Sequence, residues 1–190
     1  MTHAIYNDRV TTQPTHEPVT LEEVKTFLRV SHGGDDALLT TTIKAARLWL
    51  EDYQGRAFIT QTRTVTADGW PLNCRGEIDL FRAPVASITS ITYRDTGDTS
   101  TVWSSSYYQV DAYGLPPRVL PKVNQTYPAL YDRYDAVVIV YVAGQVTDDV
   151  PRSIKEALKR VVRAMYSGCD PASDCDCVAW SDRDKVRWAS

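Results

Sequence analysis

The stretch that most constrains the fold is a long amphipathic helix predicted over Asp35 to Gly55. Its apolar residues recur every three or four positions, so they share one face of a helix with 3.6 residues per turn. They are Leu39, Ile43, Ala46, Leu50 and Tyr53. An aspartate at the start and Gly55 at the end supply the residues that commonly cap a helix. Leu38 and Trp49 widen the apolar arc, and the helix must face a core.

Two further helices are predicted. Thr20-Leu21-Glu22-Glu23 is a capping box, and the apolar face that follows it is formed by Leu21, Val24, Phe27 and Leu28. Because Gly33-Gly34 interrupts the pattern, the first two helices form a helical hairpin or corner. A last helix begins after Asp149-Val150-Pro151, has an apolar stripe at Ile154, Leu158, Val161 and Met165, and ends near Gly168.

Between Phe58 and Val142 the apolar pattern changes to that of β-strands. Predicted strands cover 59–66, 78–81, 87–93, 107–111, 118–120 and 137–142. The last has no polar interruption, as is typical of a central strand covered on both faces. We therefore predict an α+β fold, in which the helical hairpin and the C-terminal helix pack with a small antiparallel sheet. The predicted core includes Leu39, Ile43, Leu50, Ile139, Leu158 and Val161.

The domain organisation follows from this order. Residues 19–168 are expected to form one domain, since 190 residues suffice for a single sizeable core. Residues 1–18 are polar and without period, so we expect a flexible arm that is disordered alone or ordered by a partner. Residues 169–190 form a tail.

The charge and hydropathy of the chain exclude several classes of protein. A net charge of −3 offers no basis for general nucleic-acid binding. No run approaches the roughly 18 apolar residues of a membrane helix, and no signal peptide is predicted. We expect no membrane association and a protein that remains where it is made.

A search for catalytic motifs finds no candidate. The chain has no G-x-S-x-G elbow, no phosphate-binding glycine loop and no H-E-x-x-H, and His3, His16 and His32 all precede the strand region. We therefore expect no enzyme activity and no cofactor.

A metal site is a weak alternative. Cys169, Cys175 and Cys177 are close in sequence, but their spacing lacks the C-x-x-C pairs of common zinc sites and no histidine lies nearby. We interpret them as incidental thiols, with a small thiol or zinc-binding protein left as an alternative.

Two groups of residues are candidates for partner binding. One is a basic stripe on the last helix, which is either a solvated face or a docking face for an acidic partner. It consists of Arg152, Lys155, Lys159 and Arg163. The other lies in the tail, where tryptophans are set among charges and serve either as anchors on a partner or as core residues of a folded-back tail. It consists of Trp180, Arg183, Lys185, Arg187 and Trp188.

The strand region is rich in aromatic residues. A carbohydrate-binding module with an aromatic sheet surface, as in a baseplate or host-recognition protein, is therefore an alternative function. Such residues more often fill a core or a protein interface. They are Trp70, Trp103, Tyr107, Tyr108, Tyr113, Tyr127, Tyr131 and Tyr134.

The order of these elements resembles that of the head-tail connector, or adaptor, proteins of long-tailed bacteriophages and gene transfer agents. The resemblance covers about Val19 to Ser167. Its most specific motifs are L-x-R-x-P-V-x-S-I-x-S-I at Leu80 to Ile91 and V-P-x-x-I at Val150 to Ile154. Supporting segments are VTLEEVKTFLRV, LEDYQGRAF, ITQTRTV, YYQVDAYG, PPRVLP, YVAGQ and VPRSIKEALKRVVRAMY.

The resemblance implies a structural virion protein that forms a ring of about twelve copies in the neck of the particle. Such a ring binds the portal protein through a C-terminal segment and presents its other side to a head-completion (stopper) or tail terminator protein. Genomic DNA passes through its channel without specific contacts. The resemblance also implies that the protein is made in the host cytoplasm and assembled at the head-tail interface.

Overall fold

The computed structural model describes residues 6–112 and 114–168. Its helices are α1 (Leu21–Leu28), α2 (Asp36–Gln54) and α3 (Arg152–Tyr166), with a 3-10 turn at Thr147–Asp149. Its strands are β1 (Tyr6–Thr12), β2 (Gln61–Ala67), β3 (Ile78–Asp79), β4 (Val85–Arg94), β5 (Ser100–Val102), β6 (Tyr108–Asp111), β7 (Arg118–Pro121) and β8 (Val137–Ala143). The predicted α+β class is confirmed.

The chain divides into two compact units. The strand unit contains Gln54–Thr147 and the described residues before Glu17. The helical unit contains Glu17–Tyr53 and the described residues from Asp148 onward.

The strand unit is built on a five-stranded antiparallel sheet in the order β1-β2-β8-β4-β5. Strand β8 is therefore central, with Ile139 opposite Val65 on one side and Ile91 on the other. Alternate residues of β8 are buried and the rest are half-buried. The predicted central strand is thus present, but one of its faces is covered less completely than the unbroken apolar run indicated.

A second sheet of three strands, in the order β3-β7-β6, completes the strand unit. Aromatic rings fill the core beside it: the ring centroids of Trp103 lie 5.2 Å from Trp70, 5.0 Å from Tyr108 and 5.4 Å from Tyr127. The Trp70 indole nitrogen donates a hydrogen bond to the Pro128 carbonyl at 2.9 Å, so its burial leaves no polar group unsatisfied.

The helical unit follows the predicted periodicity. The capping box of α1 forms as expected, with Glu23 N donating to Thr20 Oγ1 at 3.2 Å and Thr20 N to Glu23 Oε2 at 2.8 Å. The predicted core residues Leu39, Ile43, Leu50, Leu158 and Val161 are all buried. Tyr53, the last residue of the predicted α2 stripe, is instead half exposed and stacks on Trp49.

Part of the N-terminal segment 1–18 pairs with the five-stranded sheet. Tyr6–Thr12 forms edge strand β1, which pairs antiparallel with β2. Its polar sequence gave no strand signal because its sheet-facing charge, Asp8, is neutralised by Arg63 on β2 rather than replaced by an apolar residue. The Tyr141 hydroxyl lies 3.5 Å from the same carboxylate, and burial raises the pKa of this tyrosine.

The helical unit has a buried ionic cluster of its own. The Arg47 side chain is inaccessible to solvent and donates to Glu17 at 2.7 Å and to Glu51 at 2.9 Å. Glu51 follows Arg47 by one helical turn, and Glu17 comes from the segment before α1. The cluster therefore attaches the segment before α1 to α2.

Candidate interaction surfaces

The predicted basic stripe of α3 is only partly exposed. Arg152 and Arg163 lie at its two ends and are exposed, whereas Lys155 and Lys159 are half-buried. Lys159 forms an ion pair with Glu156 and lies 5.7 Å from the centroid of the Phe27 ring on α1. Its charge is therefore engaged within the helical unit.

Arg160 is a further cation on the outward face of α3, and it was not among the residues predicted to bind a partner. Arg160 is exposed between Arg152 and Arg163 on a helix whose exposed residues are nearly all charged. The stripe available to a partner is thus better described by Arg152, Arg160 and Arg163. The signal was present in the sequence, since Arg160 directly follows Lys159.

A polar cleft of about 440 Å³ opens beside the three-stranded sheet. Arg118 on β7 donates to Asp111 at 2.8 Å and to Glu77 at 3.2 Å. Asn73 donates to Asp79 at 2.9 Å. The hydrogen bonds to Asp111 and then Glu77 raise the pKa of Arg118. The charged groups of Arg118, Glu77 and Asp111 beside the cleft are therefore paired with one another.

One thiol lines this cleft, that of Cys74, and it is exposed. Within residues 6–112 and 114–168, no group of three or more His, Cys, Asp or Glu side chains is arranged to hold a metal ion. No helix of the same residues is long and apolar enough to cross a membrane.

Four of the aromatic residues named for the carbohydrate-binding alternative lie in or against the core of the strand unit. Trp103 and Tyr108 are buried, and Trp70 and Tyr127 pack against the core. Only Tyr108 lies in a strand, β6, whereas Trp70, Trp103 and Tyr127 lie in connections between strands. Their rings nevertheless meet in one cluster. Tyr107, Tyr131 and Tyr134 are exposed, and Tyr113 lies outside the described residues.

The candidates in the tail and the cysteine cluster also lie outside the described residues. These are Trp180, Arg183, Lys185, Arg187 and Trp188, together with Cys169, Cys175 and Cys177. Their proposed roles remain predictions.

Comparison with known families gives a match over most of the chain. The model of the family described as Phage gp6-like head-tail connector protein matches residues 18–126. The match includes α1, α2 and the strands from β2 to β7. No curated protein sequence matches the chain significantly.

Solved structures share the fold. The neck of an empty GTA particle computed with C6 symmetry contains a chain with a TM-score of 0.71 and 20% identity, over 90% of this chain and 88% of that one. A chain of the virion of a native gene transfer agent particle gives a TM-score of 0.71 and 18% identity, over 84% of each chain. The neck of a native GTA particle computed with C12 symmetry gives 0.66 and 20%, over 86% and 83%.

Proposed function

The chain belongs to the Phage gp6-like head-tail connector family, and on that basis we propose that it is the adaptor subunit of a virion neck. The observation that carries the proposal is the family match over residues 18–126. The shared fold of chains from GTA necks supports it. The protein then resides at the head-tail interface of a phage or phage-like particle.

The working form in this proposal is a ring of about twelve copies. Support comes from the neck structures of similar fold, which were computed with sixfold and twelvefold symmetry. A ring of identical subunits needs heterologous contacts, in which two different faces of each copy meet. The ring lies between the portal protein and a stopper or tail terminator, and genomic DNA passes through its channel. A mildly acidic protein suits this role, because it does not attract the negatively charged phosphates of DNA.

The portal-facing contact is proposed to lie in the C-terminal tail. Trp188 and Trp180 act as apolar anchors, and Arg183, Lys185 and Arg187 pair with portal carboxylates. The exposed ends of the α3 stripe, Arg152 and Arg163, contribute charge to the same or a neighbouring acidic partner.

No catalytic turnover is part of the proposed function. The family is one of structural connectors, and no nucleophile–base pair was predicted from the sequence. Assays of purified protein for hydrolase, transferase and redox activity are expected to give only background. A reproducible activity abolished by a single substitution would contradict this.

The test of the proposed function is assembly. Negative-stain imaging with portal-containing heads should show rings bound at the portal vertex, and deletion of Asp182 to Ser190 should prevent heads from joining tails while leaving the thermal unfolding temperature unchanged. Tyr134→Ala, at an exposed site in the strand unit, is the matched control and should assemble normally. A truncated subunit that loses thermal stability yet still assembles would refute the tail contact, and absence of rings would refute the adaptor role.

A further inference from the structure

Strand β1 is attached to the strand unit differently from the other strands. The rest of that unit is one continuous segment, Gln54–Thr147, whereas β1 precedes the helical unit, which the chain enters at Glu17. β1 forms one edge of the five-stranded sheet and pairs with β2 alone. The family match begins at residue 18, so β1 lies outside the part of the chain that matches the family. The strand can therefore leave the sheet without interrupting any other strand pair.

The bonds between the side chains of β1 and β2 are polar and fix one register. The largely buried Asp8 carboxylate pairs with Arg63, and the Thr11 hydroxyl lies 3.1 Å from that of Thr64. A slip by one residue would turn Asp8 to the other face of the sheet and leave the Arg63 charge unpaired. A strand with so few apolar residues also resists aggregation when it is detached. The exposed edge of β2 is therefore a specific docking site for a strand that carries this aspartate.

The connection between β1 and α1 has the properties of a hinge. Residues 13–18 contain Pro14 and Pro18, and proline favours an extended conformation in the residue before it. The chain bends at Thr15-His16, and both of these residues are exposed. If that bend straightens, the six residues can span about 20 Å without any change within β1. Short, stiff connections of this kind favour the exchange of an element between copies of a chain.

We propose that in the assembled ring each copy places its β1 on the β2 edge of the neighbouring copy, so that Asp8 of one copy pairs with Arg63 of the next. The inference rests on the proposed function, because it requires a ring, and it adds a specific contact between copies. Every bond between β1 and β2 is formed again between chains, so only the connection at 13–18 has to change. The closeness of neighbouring copies in a ring favours the exchange. Since each copy gives one strand and accepts one, the contact is heterologous and can close a ring.

The test is disulfide trapping in rings bound to portal-containing heads. Asn7 on β1 and Thr66 on β2 are directly opposite, and opposite residues of paired strands are close enough for a disulfide. The full chain carries Asn7→Cys and Thr66→Cys, with serine in place of Cys74, Cys169, Cys175 and Cys177. After oxidation, a denaturing gel without reductant should show a ladder of covalently linked chains.

The matched control pairs two strands of the continuous segment. Thr66→Cys with Val138→Cys joins opposite positions of β2 and β8, and its disulfide should form within single chains only. If Asn7→Cys with Thr66→Cys impairs assembly, Arg9→Cys with Thr64→Cys tests the same register of β1 on β2.

The outcomes separate this inference from the adaptor role. Rings in which the β1–β2 disulfide forms only within single chains would overturn the exchange and leave the adaptor role standing. The exchange would also be wrong if the β1–β2 pair gave no disulfide in rings where the control pair does, or if the control pair gave the same ladder. Absence of rings from the unmodified protein would refute both proposals.

Discussion

The Arg63 guanidinium on β2 holds the Asp8 carboxylate on β1, with Nε 3.0 Å from Oδ1 and Nη2 2.9 Å from Oδ2. Both side chains are largely buried. Asp8→Ala would leave the Arg63 charge without its partner, which should lower the free energy of unfolding by about 3 kcal/mol. In the Asp8→Ala variant, hydrogen-exchange measurements should show that the β1 amides exchange faster than the β8 amides. Arg9→Ala, at the next and exposed position of β1, should change stability by less than about 0.5 kcal/mol. Equal effects of the two substitutions would mean that the ion pair does not fasten β1.

The Arg47 cluster gives a second prediction. Arg47→Leu should destabilise the helical unit by about 3 to 5 kcal/mol, because the carboxylates of Glu17 and Glu51 lose their ion pairs with Arg47. Adding Glu51→Leu should recover part of this loss, since it removes one buried carboxylate that no longer pairs with Arg47. Chemical denaturation of both variants measures the difference. A double variant less stable than Arg47→Leu alone would show that Glu51 has another essential role.

Gly144, just after β8, should tolerate no side chain. Its φ is +93°, and a Cβ there would lie 2.1 Å from the Ile59 carbonyl oxygen. Gly144→Ala should therefore cost about 3 kcal/mol or more, from backbone strain and overlap together. Gly76 also has a positive φ, of +76°, but open space around it, so Gly76→Ala should cost only about 1 to 2 kcal/mol. Thermal unfolding of the two variants tests the difference, and similar losses would refute the steric argument.

The fourth prediction is a pH dependence. Burial, and secondarily the nearby Glu77, raises the pKa of Tyr127 from 10.0 to about 12. The folded state therefore holds this proton more tightly than the unfolded state, and the resulting stability is fully present below pH 10.0 and lost as the pH rises to about 12. Tyr127→Phe should flatten that part of the stability profile, and at neutral pH it should cost about 1 kcal/mol through the lost hydrogen bond to the Gly76 carbonyl. Tyr134→Phe, at a site 83% exposed, is the control. An unchanged alkaline slope in Tyr127→Phe would contradict the prediction.

Sequence patterns predicted the elements whose signals are local. The periodicity of Leu39, Ile43 and Leu50 located α2, and Thr20 with Glu23 located the start of α1. The sequence did not reveal which charged residues are buried. Asp8, Arg47 and Arg63 have the character of surface residues, and they lie in the interior because each pairs with an opposite charge from a distant segment. The burial of Trp103 and Tyr108 was likewise undecidable, because it depends on which strands become neighbours.

The same limit applies to the candidate interaction surfaces: local spacing could be predicted from the sequence, but contacts with distant residues could not. Helical spacing grouped Arg152 with Arg163, and both are exposed. It could not show that Lys159 contacts Glu156 and Phe27. Leu38 and Trp49 were expected to widen the core-facing arc of α2, whereas Leu38 is exposed and Trp49 is half-buried. Tyr53, predicted as part of the apolar stripe, is likewise half exposed.

The central position of β8 dictates when the protein can acquire its structure during synthesis. β2 ends at Ala67, and the strand that must pair beside it starts at Val137. At about 5 to 20 residues per second, the ribosome takes about 4 to 14 s to supply the 70 residues from Asp68 to Val137. The helical unit likewise waits for α3, more than 100 positions after α1. The nascent chain thus keeps two half-finished cores until β8 and α3 emerge, and neither unit can complete its fold before that point.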